Sequence, residues 1–235
     1  MSWLKGNEKA QYVQQMFGRI APRYDLLNRI MTLGQDVRWR KEAVRRLEIT
    51  DKAFLLDVGS GTGDIAREII NQCPGASVVA CDFTQEMVVI GKSRTLNCRI
   101  DWVIADAMNL PFQKDLFNGV ISGFLLRNVP DVTRAITEQY RVLKVDGKMI
   151  ALDTTPPKAG FLHPFIEFHL HYIIPLLGRM IAGDAEAYKY LPDSTENFLD
   201  GEALANRMTE AGYKKVAFAR RMLDTMAIHW GEKTE

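Results

Sequence analysis

The chain has 235 residues, 47% of them hydrophobic and 25% charged, enough for one substantial core with an elaboration. Its formal net charge of +1 supplies no basic stripe, which sets a nucleic-acid partner aside. Cys73, Cys81 and Cys98 form no C-x-x-C pair, so neither a disulfide framework nor a metal site is expected, and the thiols read as reduced in a cytoplasmic protein.

In chain order, the opening MSWLKGNEKA is too polar for a signal peptide, and no apolar span reaches the ~20 residues of a membrane helix. Residues 11–48 read as helices outside the core fold. Tyr12, Val13, Met16 and Phe17 share one helical face, Ala43, Val44 and Leu47 share another, and Pro22 breaks the pattern between them. Residues 1–50 are expected to form a helical lid on a domain spanning 51–235.

The stretch FLLDVGSGTGD comes next. A strand over Phe54–Val58 carries Asp57, the chain turns through Gly59, Gly61 and Gly63, and a helix runs from about Asp64 to Gln72. Such a turn offers bare backbone and a helix N-terminus to a small ligand. A P-loop would end in Lys and Ser or Thr, whereas Gly63 is followed by Asp64. A dinucleotide fingerprint wants a glycine at 64, and an acid there would repel a pyrophosphate. The remaining pattern, acid-x-Gly-x-Gly-x-Gly, resembles motif I of the class I methyltransferases, whose S-adenosylmethionine is cationic and suits flanking carboxylates.

From Lys52 onward strand and helix alternate, which predicts a mostly parallel sheet covered on both faces. Strand two, Ser77–Cys81, ends at Asp82, 25 residues beyond Asp57. Its carboxylate can accept the ribose hydroxyls of an adenosyl ligand; capping the helix over 85–94 is the competing reading. Strand three, Asp101–Ala105, leads to Asp106 and Ala107, where an adenine amino group could be accepted, or an ordinary loop acid could sit. Phe83 and Phe124 complete the expected cofactor contacts.

Strand four, Phe117–Phe124, is expected beside strand one, so its carboxyl end delivers Arg127 and Asn128 to the ligand crevice. The alternative has Arg127 neutralising Asp131 and Asn128 capping the helix from Val132 to Leu143. A turn at Asp146 and Gly147 should precede strand five, which ends at Asp153. An apolar insertion at about 160–195 follows, interrupted by Pro164 and Pro175 and carrying His163, His169 and His171. It fits a buried helix, a groove for a greasy substrate lined by Tyr188 and Tyr190, or a membrane-touching surface. A helix over Gly201–Ala211 and strands over Lys214–Met222 and Thr225–His229 close the fold.

Three stretches, YDLLNRIMTLGQDVRW, FLLRNVPD and RVLKVDGKMIALDTT, resemble signatures of the ubiquinone and menaquinone C-methyltransferase family. Tyr24, Asp25, Asn28 and Trp39 match the first. Asp36 stands where the family usually has His, Leu125 where it often has Gly, and Asp153 where it has Glu. The resemblance implies an α/β Rossmann-like, mostly parallel seven-stranded sheet with an antiparallel C-terminal strand. It also implies S-adenosylmethionine as methyl donor and a reduced prenylated quinol as acceptor. On that chemistry Arg127 and Asn128 would hold the acceptor hydroxyl or a water, Tyr24 would complete the network, and Asp153 and His169 are reserve bases. Three alternatives stay open: a methyltransferase of the same fold acting on a soluble metabolite, a non-catalytic cofactor-binding subunit, and a dehydrogenase. Peripheral contact with the inner face of the membrane and a homodimer are also left open.

Overall fold

The computed structural model describes residues 6–96, 98–157, 163–176 and 185–234. Its centre is a seven-stranded sheet: β1 (Phe54–Val58), β2 (Ser77–Asp82), β3 (Ile100–Ile104), β4 (Phe117–Gly123), β5 (Leu143–Thr154), β6 (Lys214–Arg221) and β7 (Met226–Glu232). The strands lie in the order β3-β2-β1-β4-β5-β7-β6. β1 through β5 pair in parallel, and β7 runs antiparallel to both β5 and β6. The chain order therefore reverses between β1 and β4, and in such open sheets the ligand crevice forms at that switch, outside the carboxyl ends of the strands.

Covered on both faces, the central strands read as near-continuous apolar runs. In β1 the pleat sends Leu56 and Val58 to one core, with Phe117, Val120, Ile136 and Met149, and Leu55 to the other, with Val44, Ile65, Ile69, Ile121 and Ile150. The first core lies under α6 (Val132–Val142) and the helix Gly201–Glu210; the second lies under α3 (Gln35–Arg45) and α4 (Asp64–Gln72). Asp131 caps α6, its side chain accepting from Arg134 N at 3.0 Å.

A third, smaller core lies outside the sheet. Met16 and Ile20 of α1 (Gly6–Ile20) and Leu27 and Met31 of α2 (Tyr24–Met31) pack with Ile174 and Tyr190 from the region of the apolar insertion. That insertion holds the helices His163–Phe168 and Ala185–Glu196 and a π-helical turn, His169–Ile173. The side chains of His163, His169 and Tyr188 lie outside the described residues, whereas His171 Nε2 lies 2.6 Å from Glu196 Oε1. Among the described residues no helix is long and apolar enough to cross a membrane.

Most boundaries fall within one residue of the sequence reading, and two differ by more. The turn expected at Asp146 and Gly147 is a bulge inside β5, which already pairs at Leu143; the register jumps from Phe117↔Leu143 to Gly119↔Lys148. Asp146 takes the positive φ that a turn would need, but its N–H bonds to Lys233 O, and Lys233 N bonds back to Gly147 O. Those bonds, with the Lys148↔Glu232 pair, also carry the last strand beyond the expected His229.

Candidate active site

The glycine turn leaves β1 with Gly59 at φ 67° and Gly63 at φ 86°, conformations that cost any residue with a Cβ. A Cβ on Gly59 would sit 2.7 Å from Leu125 Cδ1, and one on Gly63 2.9 Å from the Trp102 ring. Gly61 differs: a Cβ there would meet only Tyr24 Cε1, at an ordinary contact distance of 3.8 Å. Asp82 fixes that loop, its two carboxylate oxygens accepting from Gly61 N and Thr84 N at 2.8 Å each. Burial pushes its carboxyl above the usual range, while these N–H bonds pull the other way.

A cavity opens in front of the loop. Its wall includes Gly59, Gly61, Asp82, Phe83, Asp106, Ala107, Phe124 and Asn128, closed from the N-terminal side by Val13, Gln14, Phe17 and Tyr24. The described wall holds two acids and no Lys or Arg, so it suits a cationic nucleoside far better than a pyrophosphate. Asp106 Oδ1 accepts from Met108 N at 2.8 Å, which shapes the bend and leaves acceptor capacity over. Two sequence candidates lie elsewhere. Asp57 is fully buried behind the loop, where Oδ2 accepts from Ala66 N at 3.0 Å and Oδ1 has no hydrogen-bond partner. Burial pushes its carboxyl up to about 8. Gly63 sits against Trp102 and is also off the wall.

Behind Phe124 lies a second cavity of about 220 Å³, mostly apolar, walled by Met31, Trp39, Ile174, Leu191, Met222 and Met226, with polar atoms from Asn28, Arg127 and Thr154. Phe124 borders both cavities, and its backbone is left-handed at φ 60°, a strained conformation for an aromatic residue. The guanidinium carbons of Arg40 and Arg127 lie 5.1 and 5.4 Å from its ring centre. Arg127 is buried and bonded to Asp153 through Nη1 at 2.5 Å and through its backbone N at 3.3 Å. Asp153 also accepts from Thr154 N at 2.8 Å, so its oxygens are well occupied. Asn128 Nδ2 donates to Phe124 O at 2.8 Å, whereas its Oδ1 has no hydrogen-bond partner. The Tyr24 hydroxyl lies beside Asn28, and burial pushes its pKa up.

The N-terminal helices are tied to this edge by polar bonds. Lys9 Nζ donates to Arg127 O and Val129 O at 3.0 and 2.9 Å, and Gln14 Nε2 to Phe83 O at 3.0 Å. Thr62 Oγ1 of the loop donates to Asp25 at 2.6 Å. Arg29 pairs with Asp64 at 2.7 Å and with Asp36, which also pairs with Arg40. Arg40, Thr154 and Met222 were missed as site residues in the sequence. Among them only Thr154 falls in a stretch with a family resemblance, RVLKVDGKMIALDTT, next to Asp153.

Comparison with known proteins fits this geometry. The ubiE/COQ5 methyltransferase family model matches residues 5–233. The chain belongs to that family. It is thus an S-adenosylmethionine-dependent methyltransferase of the α/β class I fold. A ubiquinone/menaquinone biosynthesis C-methyltransferase, UbiE, of Desulfotalea psychrophila is 45% identical over 225 residues, covering 96% of this chain and 92% of the relative. A demethylmenaquinone methyltransferase of Thermus thermophilus is 39% identical over 221 residues, 93% of this chain and 100% of the relative. Among solved structures, a putative S-adenosyl-L-methionine-dependent methyltransferase from Methanococcus maripaludis aligns at TM-score 0.66 and 22% identity, over 93% of this chain and 94% of that one. That likeness supports the fold.

Proposed function

We propose that this chain adds a ring methyl to a reduced prenylated quinol, a demethylmenaquinol or the benzoquinol of ubiquinone synthesis. The observation that carries the reading is the shared wall: Phe124 separates a cavity lined by acids from an apolar one edged by Arg127, Asn28 and Thr154. A cationic donor and a greasy phenolic acceptor need two such compartments meeting at one side chain.

S-adenosylmethionine supplies an electrophilic methyl on a sulfonium. Asp82, Asp106, Gly59, Gly61, Phe83, Ala107 and Phe124 would hold it in the acid-lined cavity. Asp57 would act from behind by fixing the start of α4. The acceptor ring becomes nucleophilic at carbon as its phenol loses a proton. Arg127, permanently charged, stabilises the phenolate, and the unpaired Asn128 Oδ1 accepts from the hydroxyl or from a water that relays its proton. Tyr24 stays protonated and donates. Asp153, already accepting from Arg127 and Thr154, orients the guanidinium rather than serving as the base. The ring carbon–methyl bond forms as the sulfonium–methyl bond breaks, and the neutral dienone then loses its ring proton to water while its oxygen takes one back, restoring the quinol. Opposite charges cancel in the transfer, so a dry site favours it, with the helices over residues 6–45 as the lid. The enzyme would work on the cytoplasmic side of a membrane that holds its acceptor.

The test incubates the purified chain with isotopically labelled donor and a panel of demethylmenaquinol, benzoquinol, simple phenols and amines, read by mass spectrometry. Labelled ring methyl on a quinol is expected. Label on oxygen or nitrogen alone would overturn the reading.

A further inference from the structure

We infer that Tyr190, from the helix Ala185–Glu196, is a positioning residue: with Asn28 it anchors a water in a small chamber that joins the two cavities, where that water meets the quinol hydroxyl. The inference rests on the quinol reading above and adds a residue to that site.

The first observation is where the chamber lies. It measures about 30 Å³, and its wall includes Phe17, Tyr24, Asn28, Arg127, Asn128 and Tyr190. Phe17, Tyr24 and Asn128 belong also to the acid-lined cavity, and Asn28 and Arg127 to the apolar one. Tyr190 is on the wall of neither. The chamber thus borders both compartments, and Tyr190 reaches the reaction only through it. Holding one water takes about 10–15 Å³ of such space, so the chamber fits one or two waters and excludes an aromatic ring.

The second observation is chemical. Among the side chains that wall the chamber, four buried polar atoms have no hydrogen-bond partner: Asn28 Nδ2, Arg127 Nε, Asn128 Oδ1 and Tyr190 Oη. The set is mixed, with two donors, one acceptor and a hydroxyl that can act as either. An apolar cavity stays dry, whereas leftover buried polar groups around a space of this size are bridged by ordered water. With nothing between them, these atoms would weigh against the small core of Met16, Ile20, Leu27 and Met31 into which Tyr190 packs.

A water here can accept from Asn28 Nδ2, donate to Asn128 Oδ1 and to Tyr190 Oη, and keep one lone pair for the quinol hydroxyl. Arg127 is then left for the oxygen that becomes phenolate. The tyrosine takes no proton itself, because burial pushes its hydroxyl up to about 12. Packing alone holds its ring, which is buried in that core 5.8 Å from the ring of Tyr12. Removing the hydroxyl by itself therefore leaves the wall standing.

The experiment compares the full chain with its Tyr190→Phe variant, which keeps the ring and deletes Oη. A crystal structure of the parent, at a resolution that shows ordered solvent, should place a water within hydrogen-bond distance of Asn28, Asn128 and Tyr190; the variant should lose it. With a short-chain demethylmenaquinol, kcat of the variant should fall roughly tenfold, the worth of one hydrogen bond, while KM for the quinol and affinity for the methyl donor stay as in the parent. The thermal midpoint should not rise. A rise would mean that the hydroxyl had no partner to lose, and it overturns the proposal. So does a parent chamber without the water, or a loss that appears in KM instead of kcat, the signature of Tyr190 touching the quinol directly. If the parent methylates no quinol, the quinol reading fails, while the crystal structure still decides whether Tyr190 holds a water.

Discussion

The buried pair of Arg127 and Asp153 separates structural from chemical roles. The two are only 7% and 2% exposed, and Arg127 Nε has no hydrogen-bond partner, so Asp153 is the main compensation for a guanidinium set in the apolar wall. Asp153→Asn would keep an oxygen for Thr154 N but strand the positive charge. Arg127→Met would leave the carboxylate with backbone N–H groups alone. Breaking one side of such a pair costs about 3–5 kcal/mol, whereas removing both charges together is often nearly neutral. Urea denaturation of the two single variants and of Arg127→Met/Asp153→Asn therefore should show two large losses and a double variant that regains most of the stability. Turnover on a quinol should stay low in all three, including the refolded double variant. A double variant that is stable and active would refute the role of Arg127 in stabilising the phenolate. Single variants costing under about 1 kcal/mol would refute the desolvated pair itself.

Other expectations follow from the same geometry. Asp82→Ala removes a carboxylate from the acid-lined wall and frees the Gly61 N–H; donor affinity by calorimetry should fall about 10- to 100-fold, the worth of a charged hydrogen bond or two. Asp57 titrates near 8 in the fold and near 4 when unfolded, so between these pH values the native state binds more protons and stability falls as pH rises. Asp57→Asn abolishes that slope: its thermal midpoint should gain on the parent from pH 5 to pH 8, and a constant difference would show that the buried carboxyl is ionised throughout. A Cβ on Gly91 of the helix Gln85–Arg94 would meet Trp102 Cη2 at 2.0 Å, so Gly91→Ala should cost about 1–3 kcal/mol in denaturant titration despite the better helix propensity of Ala.

The residues that line the acid-bearing cavity were legible because the pattern is local. Glycine spacing after a short apolar run, and acids at the ends of the next two strands, are patterns within a few residues, and sheet topology only has to line up neighbours. The same locality misled at Asp57, whose place in the run looks equivalent to that of Asp82. β1 is central, so a residue one position before its end is still inside the sheet, whereas Asp82 is the last residue of its strand. The apolar cavity was legible only in pieces: Arg127, Asn28 and Trp39 stood out in the sequence, but nothing there said that they share a wall with Leu191 and Met222. Its wall joins Asn28, Trp39, Thr154, Leu191 and Met222, which meet only because β7 inserts between β5 and β6 and brings their hairpin beside the N-terminal helices. No spacing rule spans such distances. Lys233 shows the same limit, since its Nζ bonds to Asp115 and to two main-chain carbonyls, tying the end of the chain to the start of β5.

Asp36 completes the argument about where the acceptor's proton goes. The family pattern places an imidazole at this position, which would invite a role as base. Here the side chain is fully buried, accepts from Thr32 Oγ1 at 3.0 Å, and is held by the guanidiniums of both Arg29 and Arg40. A neutral imidazole could not balance those two charges, and a protonated one would add a third. The aspartate therefore serves the cluster: it fixes Arg40, whose guanidinium lies over the Phe124 ring, and through Arg29 and Asp64 it links the N-terminal helices to the start of α4. Its oxygens are taken up by Thr32 and the two guanidiniums, which leaves it occupied with the cluster rather than turned to the acceptor. With Asp153 likewise engaged and Tyr24 kept protonated by burial, two side-chain oxygens near Phe124 are left without a partner, Asn128 Oδ1 on the acid-lined cavity and Thr154 Oγ1 on the apolar one, and the amide can hold a water but not a proton. On the proposed mechanism the proton leaves through water at the Asn128 edge, and Asn128→Asp, which puts a titratable acceptor there, should shift the pH–rate profile of methyl transfer toward lower pH while Asn128→Leu abolishes turnover. An unshifted profile with Asp at 128 would remove this edge from the proton path.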